Sequence, residues 1–303
     1  MRFSPAEHRR LRRRARLRRE LTGWAFLGPM FFFFVVFLVL PVLDTFWWST
    51  RSGGLLGPTT SVGLQNYTQF PQMVDATSAV KNTLWFAVMS VPLTLVLALL
   101  VALLLARVGR GGAIYRFFIY FPVLVPGVVA GLIWLFLTNP EFGLLNNILR
   151  GVGAQPVTWL GASTALPTLA AVDVWRNTGY WAIFFVAALI GLPQELYQAA
   201  SLDGAGPLAR FWFLTLPMLR RILLFAVVVS TIWGLQVFDT ALIMTAGGPG
   251  TATTTIVYRV WQYVFAYDDK IGLAAAMSAM LVVAILVLTL VQMRALRGQR
   301  GLD

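Results

Sequence analysis

Six long apolar segments divide the chain, and polar stretches with glycine and proline separate them. The segments lie at approximately 24–43, 82–106, 116–138, 165–190, 221–244 and 272–293. Each has about the 20 residues that a helix needs to cross the hydrocarbon core of a bilayer. The pattern therefore predicts an all-α integral membrane protein with six transmembrane helices.

The composition agrees with this fold class. Hydrophobic residues make up 58% of the 303 residues. Charged residues make up only 12%, against roughly 25% in a soluble domain. The first apolar segment contains FFFFVVFLVLP, and no small-residue cleavage site follows it. We therefore expect a retained helix rather than a cleaved signal peptide.

Basic residues are distributed unevenly between the two sides of the predicted bundle. Eighteen of the 24 lie in the amino-terminal arm, in the connections between spans two and three and between spans four and five, or in the carboxy-terminal tail. Because basic residues are retained in the cytoplasm, both termini are expected there. The run LRRRARLRR at 11–19 is interpreted as an orientation signal lying against anionic headgroups, not as a nucleic-acid site. The predicted divisions are a basic arm at 1–22, a six-span domain at 23–294 and a tail at 295–303.

The sequence lacks the residues that metal binding and nucleotide binding require. The chain has no cysteine and one histidine, His8, so no metal site is expected. A phosphate-binding loop needs a lysine after its glycine, and both lysines, Lys81 and Lys270, lie in other contexts. We therefore do not expect the chain to be an enzyme. An ion-coupled carrier usually places acids at the middle of its spans, whereas the acids within the predicted spans, Asp173 and Asp239, lie toward the outer ends. An ion-coupled carrier or channel that works without an ATPase partner is therefore only the alternative.

The connection between the fourth and fifth spans, residues 192–221, differs from the other loops. Its sequence is LPQELYQAASLDGAGPLARFWFLTLPMLRR. Pro193 can start a helix, and the glycines and proline of 203–207 break it. A second short helix is expected over 208–216, ended by Pro217. The pattern predicts a stiff helix-turn-helix on the cytoplasmic side.

The stretch QAASLDGAGPLARFWFLTLP resembles the EAA loop of binding-protein-dependent ABC importer permeases, whose pattern is E-A-A, then D-G-A, then F, then L-P. We call residues 192–221 the coupling segment. The resemblance implies contact with an ATPase subunit through Glu195, Gln198, Ala199, Ala200, Asp203, Gly204, Ala205, Phe211, Leu216 and Pro217. Gln198 departs from the usual glutamate, which puts in doubt any salt bridge made by that residue.

Other stretches are similar to the sugar-permease branch that includes the maltose and glycerol-3-phosphate importers. Among them are DVWRNTGYW at 173–181 and VFDTALIMTAGGPGTATTTIVYRVW at 237–261. The resemblance implies a six-span permease domain in a bacterial or archaeal cell membrane, paired with a second, related permease. It also implies two ATPase subunits that hold ATP and Mg, an external solute-binding protein, and a carbohydrate cargo, with no cofactor bound by this chain. Mono- or oligosaccharide, polyol and glycerol-phosphate ester stay open as cargo.

Polar and aromatic side chains recur at helical spacing in the fourth and fifth spans, a pattern that suits a sugar but also serves to pack spans together. These candidates for a substrate path are Asp173, Asn177, Tyr180, Trp181, Trp233, Gln236 and Thr240. Arg176 is expected to pair with Asp173 within its helix. Pro122 and Pro126 are expected to bend the third span. The TAGGPG loop at 245–250 either contacts the binding protein or closes a turn.

Overall fold

The computed structural model describes residues 5–54, 57–73, 75–109, 111–267 and 270–297. The first four residues of the basic arm, Arg110 and the last six residues of the tail lie outside the described residues. Nearly all regular structure within these ranges is helical. The helices are α1 (Pro5–Phe34), α2 (Leu40–Trp48), α3 (Gln65–Gln69), α4 (Ala76–Leu105), α5 (Gly112–Tyr120), α6 (Gly127–Leu137), α7 (Leu144–Gly151), α8 (Ala165–Ile190), α9 (Gln194–Leu202), α10 (Pro207–Arg210), α11 (Leu216–Leu235), α12 (Ile256–Phe265) and α13 (Ile271–Arg297). A two-stranded antiparallel ribbon pairs β1 (Arg51–Ser52) with β2 (Thr60–Ser61).

Four of the described helical stretches are long and apolar enough to cross a membrane singly: 18–48, 76–105, 207–235 and 271–295. Two bent pairs pass the same test together. Helices α5 and α6 meet at 97°, and α8 and α9 meet at 70°. The chain is therefore a multi-pass helical membrane protein with up to six spans, as the apolar pattern predicted.

The fourth predicted span, 165–190, coincides with α8, but the fifth was wrong at both ends. The predicted boundaries were 221 and 244, whereas the helix runs without interruption from Pro207 to Leu235. Pro217 does not end a short helix over 208–216 and instead lies inside this long one. Gln236, Val237 and Phe238 then leave the α-helix, and Asp239 and Thr240 begin a new helical turn that continues as the π-helical turn Ala241–Thr245.

A π-helical turn explains how this helix continues through its proline. Phe211–Thr215 forms such a turn directly before α11, and Pro217 is the second residue of α11. The same arrangement occurs in the first span, where Val35–Val39 precedes Pro41. Proline lacks an N–H group, and its ring collides with the carbonyl four residues back. The wider turn absorbs both defects, so the helix bulges instead of ending.

The third span is broken, as its prolines predicted. Helix α5 passes into a 3₁₀ turn, Phe121–Leu124, and Val125 then adopts an extended conformation before Pro126. Pro126 is the N-cap of α6, which begins with Gly127. Gly127 is half-buried at this break, whereas its neighbours Pro126 and Val128 are exposed.

The main core lies between α4, α8 and α11 and is built around small residues. Ala98, Ala102, Ala182 and Ala226 are fully buried in it. Small side chains let membrane helices approach closely. Leu105, Leu189 and Leu219 lie in the same cluster, so the carboxyl ends of α4 and α8 meet the start of α11. We call this end of the bundle, which carries the coupling segment, the coupling face.

Candidate functional site

The coupling segment forms a helix that ends at a well-defined turn. Helix α9 covers Gln194–Leu202, with Glu195 in its first turn. The amide of Gly204 donates to the Ser201 carbonyl, and the amide of Ala205 donates to the Ala200 carbonyl at 2.8 Å. This pair of bonds is a Schellman motif, in which Gly204 takes the left-handed conformation at φ +80°. The D-G-A part of the sequence is thus the stop signal of the helix, as expected.

The described side chains of α9 are all exposed or half-buried, so the helix presents an open surface. Leu202 is 90% exposed at its end, and Gln198 and Ala199 are exposed on its length. Beyond the turn, Phe213 is 79% exposed and Trp212 is also exposed. Apolar side chains held this far out of the protein are typical of a surface that a partner covers.

The remaining predicted coupling residues divide between surface and helix. Phe211 is half-buried and edge-on to Trp212, with ring centroids 5.4 Å apart. Leu216 and Pro217 belong to α11 and therefore to the fifth span, not to a separate loop. The coupling segment and the fifth span consequently form one continuous body from Pro207 onward.

Most of the residues predicted for a substrate path meet at one cavity of about 370 Å³. Its lining consists of Asp173, Arg176, Asn177, Trp233, Gln236, Val237, Phe238, Asp239 and Thr240. A larger groove of about 670 Å³ lies along α4 and α13, with mostly apolar lining residues such as Phe70, Leu84 and Met280. A sugar needs hydrogen-bonding groups, so the smaller cavity is the candidate site.

The carboxylate of Asp173 links the polar side chains on this face of α8. Asn177 Nδ2 donates to Asp173 Oδ1 at 2.8 Å. Arg176 Nη2 lies 3.9 Å from the same oxygen, which confirms the ion pair expected within the helix. The positive charge of Arg176 is therefore balanced locally.

Asp239 adds a second carboxylate, at the start of the broken helix α6. A Cβ atom on residue 127 would collide with the Asp239 carboxylate, and would stand 2.6 Å from Arg176 Nη1. Only glycine leaves room for this contact. The free N–H groups of a first helical turn carry partial positive charge, so a carboxylate beside them is stabilised. The spacing of residues within single helices did not predict this role of Asp239, because it depends on the breaks in the third and fifth spans lying side by side.

Thr240 brings a buried hydroxyl to the lining of the cavity. Its side chain is only 5% exposed and lines the cavity, yet its hydroxyl has no hydrogen-bond partner among the described residues. A buried hydroxyl without a partner costs about 1–3 kcal/mol.

Two predicted residues of the substrate path do not line the cavity. Trp181 is fully buried in the core cluster and stacks on Phe185, with ring centroids 6.1 Å apart. Tyr180 packs edge-on against Trp233, at 5.4 Å between ring centroids. Tyr180 therefore supports a lining residue, whereas Trp181 packs the helices together.

The TAGGPG loop is held from within by hydrogen bonds. Thr253 Oγ1 donates to the Gly248 carbonyl, and Thr254 Oγ1 donates to the Gly247 carbonyl. Burial raises the pKa of Tyr258, so its hydroxyl stays protonated and donates to the Ala246 carbonyl at 2.6 Å. The loop is a rigid turn, and its possible contact with a binding protein stays a prediction.

Comparison with known proteins places these features in a family. Residues 94–298 match the family of binding-protein-dependent transport system inner membrane components. The chain is 34% identical to the trehalose/maltose transport system permease protein MalF of Thermococcus litoralis, over 92% of this chain and 94% of that protein. It is also 34% identical to the sn-glycerol-3-phosphate transport system permease protein UgpA of Agrobacterium fabrum, over 91% and 94% respectively. The fold is similar to a crystal structure of a bacterial ABC transporter that imports the acidic polysaccharide alginate, with a TM-score of 0.84, 21% identity, and coverage of 96% of this chain and 100% of that one.

Proposed function

The chain belongs to the inner membrane components of binding-protein-dependent transport systems, the permease subunits of ABC importers, and we propose that it carries a neutral carbohydrate inward. The observation that carries the proposal is the cavity between α8 and the end of α11, whose lining contains carboxylates, amides and Thr240. Carboxylate and amide oxygens accept hydrogen bonds from sugar hydroxyls, and Trp233 offers an aromatic face to the ring. Similarity to a trehalose/maltose permease supports the same class of cargo.

The charges of the cavity favour a neutral sugar over an anionic ester. Asp173 and Asp239 both line it, and the one guanidinium among the described lining residues, Arg176, is paired with Asp173. A phosphate or carboxylate group would meet two carboxylates and no unpaired cation in this lining. The similarity to a glycerol-3-phosphate permease and to an alginate transporter therefore supports an ABC importer as the class of transporter. The charges of the cavity lining favour an uncharged mono- or oligosaccharide as its cargo.

The coupling segment is proposed to dock in an ATPase subunit. Exposed Leu202, Trp212 and Phe213 supply apolar contacts, and the Schellman turn holds them at fixed positions. The distribution of basic residues supports a cytoplasmic location for this face and for both termini. ATP and Mg belong to the two ATPase subunits, since the sequence of this chain contains no phosphate-binding lysine loop.

The proposed cycle is a rigid-body alternation of access. Closure of the two ATPase subunits moves the coupling segments of this chain and of a second, related permease, and the path changes from inward to outward facing. An external solute-binding protein delivers the sugar to the opposite face. The broken third span and the interrupted end of the fifth span border the cavity where this change is needed.

Co-purification tests the proposed assembly. The tagged chain is extracted in detergent from native membranes, the associated chains are identified by mass spectrometry, and ATPase activity is measured with candidate sugars and the binding protein. We expect a second permease and an ATPase, with hydrolysis stimulated by the sugar-loaded binding protein. Recovery of this chain alone, from membranes that retain other known complexes, would contradict the proposal and favour an independent carrier.

A further inference from the structure

Helix α9 needs a mechanical connection to the bundle if it is to transmit force. It turns by 70° from α8, and only the residues from Gly191 to Pro193 separate the two helices. The described residues of α9 include no buried side chain. Core packing therefore contributes little to the position of α9. Hydrogen bonds from its side chains to the next helix hold it in place instead.

Four residues form a closed ring of hydrogen bonds between α9 and the helix that begins at Pro207. The Tyr197 hydroxyl lies 2.9 Å from Thr215 Oγ1, and Thr215 Oγ1 donates to the Arg210 carbonyl at 3.3 Å. Either hydroxyl can donate in the Tyr197–Thr215 pair. Arg210 Nη1 donates to Ser201 Oγ at 2.7 Å, and Ser201 Oγ donates back to the Tyr197 carbonyl at 3.0 Å. We call Tyr197, Ser201, Arg210 and Thr215 the inter-helix ring.

The two halves of the ring differ in their exposure to water. Thr215 is only 5% exposed, so its bond to Tyr197 is shielded. The bond between Ser201 and Arg210 is exposed. An exposed polar contact competes with water, whereas a shielded one is retained because its loss leaves a buried group unsatisfied. The Tyr197–Thr215 pair is therefore the stronger half of the connection.

Thr215 stands at the end of the π-helical turn that leads into α11. From there the helix continues to Leu235 and reaches the cavity through Trp233 and Gln236. At 1.5 Å per residue, this part of the helix is about 30 Å long. A displacement of α9 that is carried through Tyr197 thus reaches the cavity along one rigid element.

We infer that Tyr197 and Thr215 are positioning residues that transmit the movement of the coupling helix to the fifth span. The inference rests on the proposed function, because it assigns the route by which ATPase closure acts on the substrate path. It predicts that α9 drives α11 through these side chains in addition to the backbone of residues 203–206, and α8 only through the backbone of residues 191–193.

The test measures transport per ATP hydrolysed in the complete reconstituted complex. The variants are Tyr197→Phe and Thr215→Val, which remove one hydroxyl each. Thr45→Val is the matched control, since the Thr45 hydroxyl donates to Pro41 within its own helix. We expect both ring variants to assemble and to lose at least about fivefold in sugar imported per ATP, a coupling loss in the usual range. The double variant is expected to lose no more than the larger single loss, because both changes remove the same bond.

Three outcomes are informative. Wild-type coupling in Tyr197→Phe would overturn the inference, even if Thr215→Val failed to assemble. A lower yield of complex with an unchanged transport-to-ATP ratio would also overturn it, because that is the result of a merely structural role. Absence of sugar-stimulated hydrolysis in the wild-type complex would instead refute the proposed function, and this inference with it.

Discussion

The carboxylate of Asp239 lies directly against Gly127, so the interrupted end of the fifth span closes over the start of α6. The contact joins two helix breaks that are 112 residues apart in sequence. A carboxylate beside a first helical turn is stabilised by about 0.3–1 kcal/mol at an exposed site and by more when it is shielded. The contact between Asp239 and Gly127 therefore fixes the wall of the cavity that Asp239 forms. The Asp239 carboxylate still lines the cavity and can accept a hydrogen bond from the cargo.

Gly127→Ala is expected to disturb this wall. The added Cβ collides with the Asp239 carboxylate and with Arg176, and overpacking of this kind costs about 1–3 kcal/mol. We predict a lower unfolding temperature and reduced sugar uptake in reconstituted complexes. Gly112→Ala is the control, because its Cβ meets its nearest atom at an ordinary 3.6 Å. Equal behaviour of the two variants would show that the Gly127 contact is unimportant.

Asp173→Asn is expected to change the preference of the cavity for charge. The amide keeps the size of the side chain but leaves Arg176 without its ion-pair partner. Uptake of neutral sugar should fall, and an anionic sugar ester should compete more strongly than it does with the wild type. Asp44→Asn, in exposed α2, serves as the control. An unchanged ratio of neutral to anionic competition would contradict the assignment of Asp173 to the path.

Leu202→Asp is expected to release the ATPase subunit. Leu202 is the most exposed apolar side chain of the coupling segment, and a carboxylate there opposes burial in an apolar cleft. We predict about tenfold less ATPase recovered per permease, equivalent to about 1.4 kcal/mol of binding free energy. Leu64→Asp introduces the same charge at another exposed leucine, outside the coupling segment, and should leave recovery unchanged. Undiminished recovery with Leu202→Asp would place the ATPase elsewhere.

Deletion of residues 203–207 is expected to uncouple the transporter while leaving membrane insertion intact. The deletion removes the Schellman turn that separates α9 from the fifth span. Gly153→Asn is the control, since Gly153 is a left-handed turn glycine outside the coupling segment and nothing lies within 4 Å of a Cβ added there. The measurement is ATP-driven uptake together with the amount of inserted chain. Unimpaired uptake by the deletion variant would refute the role of the coupling segment.

The sequence predicted spans well where hydrophobicity alone decides them. The fourth span agrees with α8 because apolar residues fill it and Gly191 with Pro193 ends it. The predicted start of the fifth span is wrong because proline usually ends a helix, whereas Pro217 lies inside one. A π-helical turn of five residues accommodates that proline, and nothing in local propensity distinguishes a proline that ends a helix from one that follows such a turn.

The part of the site that lies on one helix could be predicted from the sequence, because helical spacing shows which residues share a face. Asp173 and Asn177 share a face at helical spacing, so the pattern revealed their proximity. Thr240 was grouped with Trp233 and Gln236 as if one helix carried all three, yet it reaches the cavity from beyond the end of α11. Asp239 acts through the third span, and Trp181 is turned into the core. Such contacts depend on how breaks and helices assemble in space, which single-helix periodicity does not contain.

Sugar uptake into proteoliposomes tests the central claim most directly. The permease is reconstituted with its co-purifying permease and ATPase, ATP is enclosed on the side of the coupling face, and radiolabelled sugar with the binding protein is added to the opposite side. The account predicts accumulation of a neutral sugar that requires both ATP and the binding protein, and that is lost with the 203–207 deletion. Equal accumulation by the permease chain alone, without ATP or partners, would contradict it.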